Sequence, residues 1–165
     1  MSFTLAPLSR ADPAAVEALL DRAFGSDRHG RAAYRIRAGV TAIPAFSFAA
    51  FDGAELVGSL QSWPVVVGPA PLVLVGPVAV VPERQRQGIG IALMDTLIAA
   101  APATAMAMIG DAGYYSRWGF GAAATQQWRV PGSVDRHRLL ARMTDGLPMT
   151  GDLGPQRFAT DGAPA

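Results

Sequence analysis

From Leu72 to Val81 the chain is almost continuously apolar and rich in valine. Such residues favour extended backbone, and a run without polar alternation reads as a strand covered on both faces. A strand buried on two sides needs further layers packed around it. Gly76 and Pro77 interrupt the run. Proline donates no ladder hydrogen bond, so a bulge or a divergence from the neighbouring strand is expected there. After Pro82 the texture changes. Glu83 to Gly90 is polar and glycine-containing; Ile91, Met94, Leu97, Ile98 and Ala101 then recur at helical spacing until Pro102 stops them.

Around this constellation the elements are shorter. Phe3 to Leu8 fits a first strand. Asp12 fits an N-cap with Pro13 in the first helical position; Val16, Leu19, Leu20, Ala23 and Phe24 keep helical spacing, and Gly25 ends the helix. The polar, basic stretch from Ser26 to Gly39 admits a second helix. Ala45 to Phe51 and Leu56 to Val67 read as strands joined by the turn signal Asp52-Gly53, the second strand bent near Pro64. Thr104 to Ile109 reads as a strand and Ala112 to Trp118 as a short helix ending at Gly119. Gln126 to Val130 and His137 to Met143 read as closing strands. One domain, 1–150, is expected, and 151–165, small, polar and proline-containing, reads as a loose tail. This order predicts a mixed α/β sheet with helices on its faces, not the strict alternation of a doubly wound dinucleotide fold.

Composition narrows the partners. A chain of 165 residues, half of them hydrophobic, can build a single core. Its 14 basic and 13 acidic residues leave a net charge of +1, which favours neither nucleic acid nor an anionic membrane as partner. Without cysteine there is no disulfide, thiolate metal site or cysteine nucleophile. His29 and His137 are far apart in sequence, so no metal is expected. The first residues lack the basic-then-apolar pattern of a signal peptide, and the apolar runs are too short to span a bilayer, so the cytoplasm is the expected compartment.

The turn before the helix is where chemistry is expected. The first N–H groups of a helix have no partner inside it, and the helix dipole adds positive potential there. Together they form an anion site that needs no lysine. Glycine at 88 and 90 lets phosphate oxygens approach the backbone, and Arg84 and Arg86 add charge, either as phosphate contacts or as solvated surface. A pyrophosphate-bearing ligand fits such a turn. A Walker loop would place Lys and Ser/Thr where Ile91 and Ala92 stand, and a dinucleotide fingerprint would place a third glycine where Leu93 stands. The observed spacing is Gln-x-x-Gly-x-Gly.

Val78 to Gly90, with Gln85, Gly88 and Gly90 at the key positions, resembles the strand and signature turn of the GNAT superfamily of N-acetyltransferases, whose pattern is Gln/Arg-x-x-Gly-x-Gly/Ala. A second block, Gly110-Asp111-Ala112-Gly113-Tyr114-Tyr115-Ser116-Arg117-Trp118-Gly119-Phe120, resembles the family's later tyrosine helix ending in Gly-Phe. It is most similar to a bacterial subgroup with Gly-Asp-x-x-Tyr-Tyr. In element order the resemblance covers residues 3 to 130 or so.

The resemblance implies a mixed central sheet, splayed in the middle and flanked by helices. It implies transfer of an acetyl group from acetyl-CoA to a primary amine by direct attack in a ternary complex, without a metal. The backbone of Gln85, Arg86, Gln87, Gly88, Ile89, Gly90 and Ile91 would hold the pyrophosphate. The main chain of Val78, Ala79 and Val80 would pair with the pantetheine arm, and the strand carrying Met108 and Ile109 would diverge to admit the thioester. Tyr115 would contact the cofactor and protonate the departing thiolate. The acceptor would be a small-molecule or peptide amine, with a wall from residues 24–45, and a homodimer is among the expected assemblies.

The residues themselves qualify this. A tyrosine is more often buried for area than for chemistry, and only the resemblance lifts Tyr115 towards a catalytic role. Tyr114, adjacent on the helix, faces elsewhere and is expected to pack. Leu72 to Val81 contains no acid, so no general base is evident. Asp111 is a candidate, with capping of the next helix the favoured alternative. Glu83 reads as solvated or as stabilising the helix start. Two further readings stay open: a non-catalytic acyl-CoA-binding or sensor domain, and an enzyme for a longer acyl-CoA, with Met106 and Met108 deciding the chain length.

Overall fold

A computed structural model describes residues 2–157. In chain order the elements are β1 (Thr4–Pro7), α1 (Pro13–Phe24), α2 (Ala32–Ile36), β2 (Phe48–Asp52), β3 (Glu55–Val67), β4 (Ala70–Val80), α3 (Ile89–Ala100), β5 (Met106–Ile109), α4 (Ala112–Tyr115), β6 (Gln127–Arg129), β7 (Leu139–Arg142) and β8 (Thr150–Pro155). The result is a mixed α/β fold with an open, mostly antiparallel sheet flanked by helices. The chain divides into two compact units.

The first unit comprises Met1–Arg31, Ala42–Ser62 and Val75–Thr104. Its strands run in the order β1-β2-β3-β4. The β2–β3 hairpin closes at Asp52↔Glu55 with Gly53 at φ +59°, where the Asp-Gly signal placed it. Asp12 caps α1, its Oδ1 accepting from Ala14 N–H at 3.2 Å, with Pro13 in the first turn and Gly25 at φ +90° ending the helix. Val16, Leu19 and Leu20 form its buried stripe. In α3 the buried residues are Ile89, Leu93, Met94 and Leu97; Ile91 and Ile98 are only half-buried. Met94, Leu97 and Ala101 are buried as predicted, and the helix begins early enough for Ile89 and Leu93 to join them in place of Ile91 and Ile98.

The second unit comprises Ala32–Thr41, Trp63–Leu74 and Ala105–Ala165, of which residues up to 157 are described. Its strands run β3-β4-β5-β7. The parallel ladder between β4 and β5 has two pairs, Val73↔Met106 and Leu74↔Ala107, and stops there. Met108 and Ile109 keep only their antiparallel partners on β7, Leu140 and Leu139. The core gathers Ile36, Val65, Leu74, Ala107, Trp128, Leu139 and Leu153. Trp128 is fully buried, and its indole N–H donates to Pro148 O at 2.9 Å.

One expectation is corrected here. Residues 150–155 form β8, paired antiparallel with β3 and parallel with β6, where a loose tail was expected from 151. Leu153 fills the core, and Gly151 brings its backbone against that of Gly68, where a Cβ would stand 3.0 Å from Gly68 N. The long-range contact holds a segment that has little strand propensity of its own. Residues 158–165 lie outside the described residues.

Candidate functional site

β4 delivers the chain to the glycine turn. Val73 N–H donates to Ala105 O, on the β5 side, whereas Val81 N–H donates to Val57 O, on the β3 side. In an unbroken strand residues of the same parity face the same neighbour. The strand therefore switches sides between them, and Gly76 at φ +126° is the residue outside ordinary strand geometry. One consequence is that Ala79 faces β3 while the peptide groups of Val78 and Val80 face away from it. Ala79 is buried, and Val78 and Val80 are half-buried.

The turn itself stands open. Gln85, Arg86, Gln87 and Gly88 are exposed, and Ile89 is buried. Arg86 at φ +65° and Gly88 at φ +86° are both left-handed, which turns successive peptide groups through the tight bend. Gly88 is the N-cap of α3, and no side chain caps the helix there. The first intrahelical bond runs from Ala92 N–H to Gly88 O at 3.0 Å, so the N–H groups of Ile89, Gly90 and Ile91 precede the ladder. A Cβ on Gly88 would meet nothing within 4 Å, so that face of the turn is free space. Uncapped donors, free space and the positive end of a helix suit an oxyanion.

Of the flanking charges, Arg84 takes a different role from those expected, while Glu83 stays exposed as expected and is paired. Arg84 is neither a phosphate contact nor solvated: it is buried, with 6% of its surface exposed. Its Nη1 donates to Asp52 Oδ2 at 2.7 Å, its Nε to Gln87 Oε1 at 2.8 Å, and its Nη2 to Ser2 O at 3.3 Å. Arg84 thus ties the turn to the β2–β3 hairpin tip and to the chain ahead of β1. It also holds the Gln87 carbonyl, which cannot then cap α3. Glu83 pairs with Arg22, which donates to both carboxylate oxygens at 2.6 and 2.7 Å. That hydrogen bonding holds its carboxyl below the usual carboxylate range, which weakens Glu83 as a base.

The second block is built around Tyr115. Asp111 caps α4: its Oδ2 accepts from Tyr114 N–H at 3.2 Å, the favoured reading for this residue. Gly110 N–H donates to Arg138 O at 2.9 Å, which pins the start of the block to the chain before β7. Gly121 and Ala141 exchange hydrogen bonds at 2.9 and 3.0 Å, which pins its end. The Tyr115 ring packs between Tyr114, Trp118 and Phe120, with centroids 4.8, 5.8 and 6.4 Å away. Burial above all, helped by Tyr114 and Asp111 and opposed by Arg138, pushes its phenol up to about 12. Tyr114 packs as expected, edge-on to Trp118 at 5.5 Å with the Arg117 guanidinium 4.7 Å from its ring.

Some residues carried no readable signal. Gly58 of β3 lies directly beneath Ile89, and Gly110 beneath the Tyr115 ring. A glycine inside a strand pattern hints at close approach without naming the partner. In the basic stretch after α1, Arg28 is buried and bound to Glu17 Oε1 at 2.8 Å and Asp21 Oδ1 at 3.1 Å, so its charge is neutralised at home. In the second unit the Arg37 guanidinium lies 4.0 Å from the rings of both Tyr34 and Trp63, which makes Trp63 a cation-stacking wall.

Among the described residues no helix is long and apolar enough to cross a membrane. Solved structures share the fold. A GNAT family N-acetyltransferase (YhbS) from Escherichia coli, in complex with CoA, is 24% identical, covering 92% of this chain and 88% of that one, with a TM-score of 0.66. A GNAT family acetyltransferase from Brucella melitensis, in complex with acetyl-CoA, is 22% identical over 94% and 96%, with a TM-score of 0.61. The ribosomal-protein-S18-alanine N-acetyltransferase from Escherichia coli is 20% identical over 85% and 90%, with a TM-score of 0.53. At these identities the likeness is one of fold. No curated protein matches the sequence. The sequence model of the acetyltransferase (GNAT) family matches residues 14–120, spanning the turn and the tyrosine block, and the chain belongs to that family.

Proposed function

We propose that the protein transfers an acetyl group from acetyl-CoA to a primary amine, by direct attack of the amine on the thioester. The observation that carries this reading is the uncapped start of α3, with three peptide N–H groups ahead of the helix ladder and open space at Gly88. Those donors fit the pyrophosphate of a coenzyme A ester. The two similar structures that hold CoA and acetyl-CoA support the choice of ligand.

In this reading Gln85 to Ile91 grip the diphosphate through main chain, with Arg86 adding an exposed positive charge. The peptide groups of Val78 and Val80, facing away from β3, suit strand-like pairing with the amide-containing arm, and Ala79 between them anchors to β3. Attack forms the C–N bond and breaks the C–S bond; the sulfur leaves with the electron pair and needs a proton. Tyr115 supplies it. A phenol held at about 12 carries its proton throughout the working range, as a proton donor must. Asp111 acts through the cap that fixes α4, the helix that carries that ring. The amine must arrive neutral, and the paired Glu83 makes a poor proton acceptor, so an amine of low pKa is the natural acceptor.

The test is calorimetry of purified protein with coenzyme A, followed by thiol release from acetyl-CoA with a panel of amines. Saturable CoA binding and amine-dependent thiol release are the expected results. No saturation with CoA would overturn the reading. Binding without amine-dependent release would leave a CoA-binding protein and remove the catalytic part.

A further inference from the structure

β3 carries a glycine at position 58, with Val57 and Leu60 fully buried close by. Glycine inside a strand weakens it, because the unfolded chain is freer and no side chain packs. Gly58 has no left-handed φ, unlike the turn glycines, so conformational freedom is not what it supplies. It supplies space. A Cβ at this position would stand 2.7 Å from Ile89 Cγ2, 3.3 Å from Leu93 Cδ1 and 3.3 Å from Ala79 O. The first distance lies inside van der Waals contact, so the helix or the strand would have to move.

Ile89 is the first residue of α3, and its own N–H is one of the uncapped donors. Ile89 and Leu93 are 1% and 0% exposed, so neither side chain has solvent to swing into. Below them the strand is fixed: Val81 N–H donates to Val57 O at 3.0 Å, beside the glycine. Above them the turn is held by Arg84 through Asp52 and Gln87. The start of α3 is therefore held between a hydrogen-bonded strand and a tethered turn, and Ile89 fills the space left by the missing side chain at 58.

We propose that Gly58 is a positioning residue for the glycine turn: the bare backbone at 58 seats Ile89 and so sets where the amides of Ile89, Gly90 and Ile91 point. The inference rests on the acetyl-CoA reading above. Gly58 touches no ligand in it; its effect passes through Ile89. A methyl group here lifts the helix start while leaving every donor chemically intact.

The experiment measures CoA affinity by calorimetry and acetyl-CoA KM and kcat for wild type, Gly58→Ala, Ile89→Leu and the double variant. Leucine lacks the β-methyl that the alanine would strike. Wild type is measured first, and failure there refutes the acetyl-CoA reading, not the seat. With wild type binding, Gly58→Ala is expected to lose at least about tenfold in CoA affinity, from misplacement of roughly an ångström, with KM rising more than kcat falls. The double variant is expected to recover the affinity of Ile89→Leu alone. Leu97→Ala, farther along the same helix, serves as the stability control: it should lower Tm and leave CoA affinity unchanged. Unaltered affinity in folded Gly58→Ala overturns the proposal. If Gly58→Ala does not fold, the double variant decides: affinity equal to Ile89→Leu supports the seat, and affinity well below it overturns it.

Discussion

Tyr115 occupies the space that a side chain on Gly110 would need: a Cβ there would stand 2.6 Å from Tyr115 Cε2 and 2.8 Å from Cδ2. Gly110 N–H is fixed to Arg138 O, so the backbone does not yield easily. Gly110→Ala is therefore expected to tilt the ring and displace its hydroxyl. Overpacking of this kind costs about 1–3 kcal/mol of stability. Turnover should fall about a hundredfold if the hydroxyl delivers the proton, with CoA affinity within about twofold of wild type. Steady-state kinetics and calorimetry on one preparation check both; normal turnover would remove the ring position from the mechanism.

Tyr115→Phe separates the hydroxyl from the ring. Loss of a general acid costs about 10²–10⁴-fold in turnover, and CoA affinity should hold. The same variant carries a pH signature. Burial raises the folded phenol to about 12, whereas the unfolded one titrates near 10. Above pH 10 or so the unfolded chain releases this proton while the folded chain keeps it, so stability falls as pH rises towards 12. Below that window the contribution is fully present. Urea midpoints from pH 9 to pH 12 or so should fall less steeply in Tyr115→Phe. Identical slopes would contradict the buried phenol.

Arg84 and Arg86, two residues apart, should behave as opposites. Arg84→Met removes a buried cation from Asp52 and Gln87 and should cost about 1–3 kcal/mol, moderated because Asp52 is half-exposed. Arg86→Gly relieves a left-handed arginine at φ +65° and should gain about 1 kcal/mol of stability. The same change removes the exposed cation of the turn and should weaken CoA binding. Denaturant titration and calorimetry distinguish the two, and a destabilised Arg86→Gly would refute the strain argument.

Asp111 has a role that charge alone does not explain. Asn caps a helix about as well as Asp, and Ala does not. Asp111→Asn should therefore keep both stability and turnover, whereas Asp111→Ala should cost about 1 kcal/mol. A sharp loss of turnover in stable Asp111→Asn would instead assign the carboxylate to proton transfer.

Features that depend on a few neighbouring residues could be read directly. Asp12 and Pro13 start α1, Gly25 ends it, Asp52-Gly53 closes a hairpin, and Gly88 opens α3. Each is a local conformational preference, visible without the rest of the chain. What escaped reading depends on residues distant in sequence. Arg84 looks like a surface charge until Asp52 and Ser2 arrive beside it. Thr150–Pro155 looks loose until β3 and β6 offer it hydrogen bonds. The glycines at 58 and 110 show their purpose only when Ile89 and Tyr115 fill the gaps. The turn was legible because glycine spacing and an uncapped helix are local; what holds it in place was not.

The Arg84–Asp52 contact bears on how the protein can be engineered. An exposed two-residue hairpin tip is ordinarily a tolerant place to splice in a tag or a fluorescent reporter. Here the strand residue just before the tip, Asp52, is a tether. A sequence inserted after Asp52 would pull on Arg84, and through it on Gln87, so a graft at the surface would loosen the glycine turn while leaving the helices and the rest of the sheet folded.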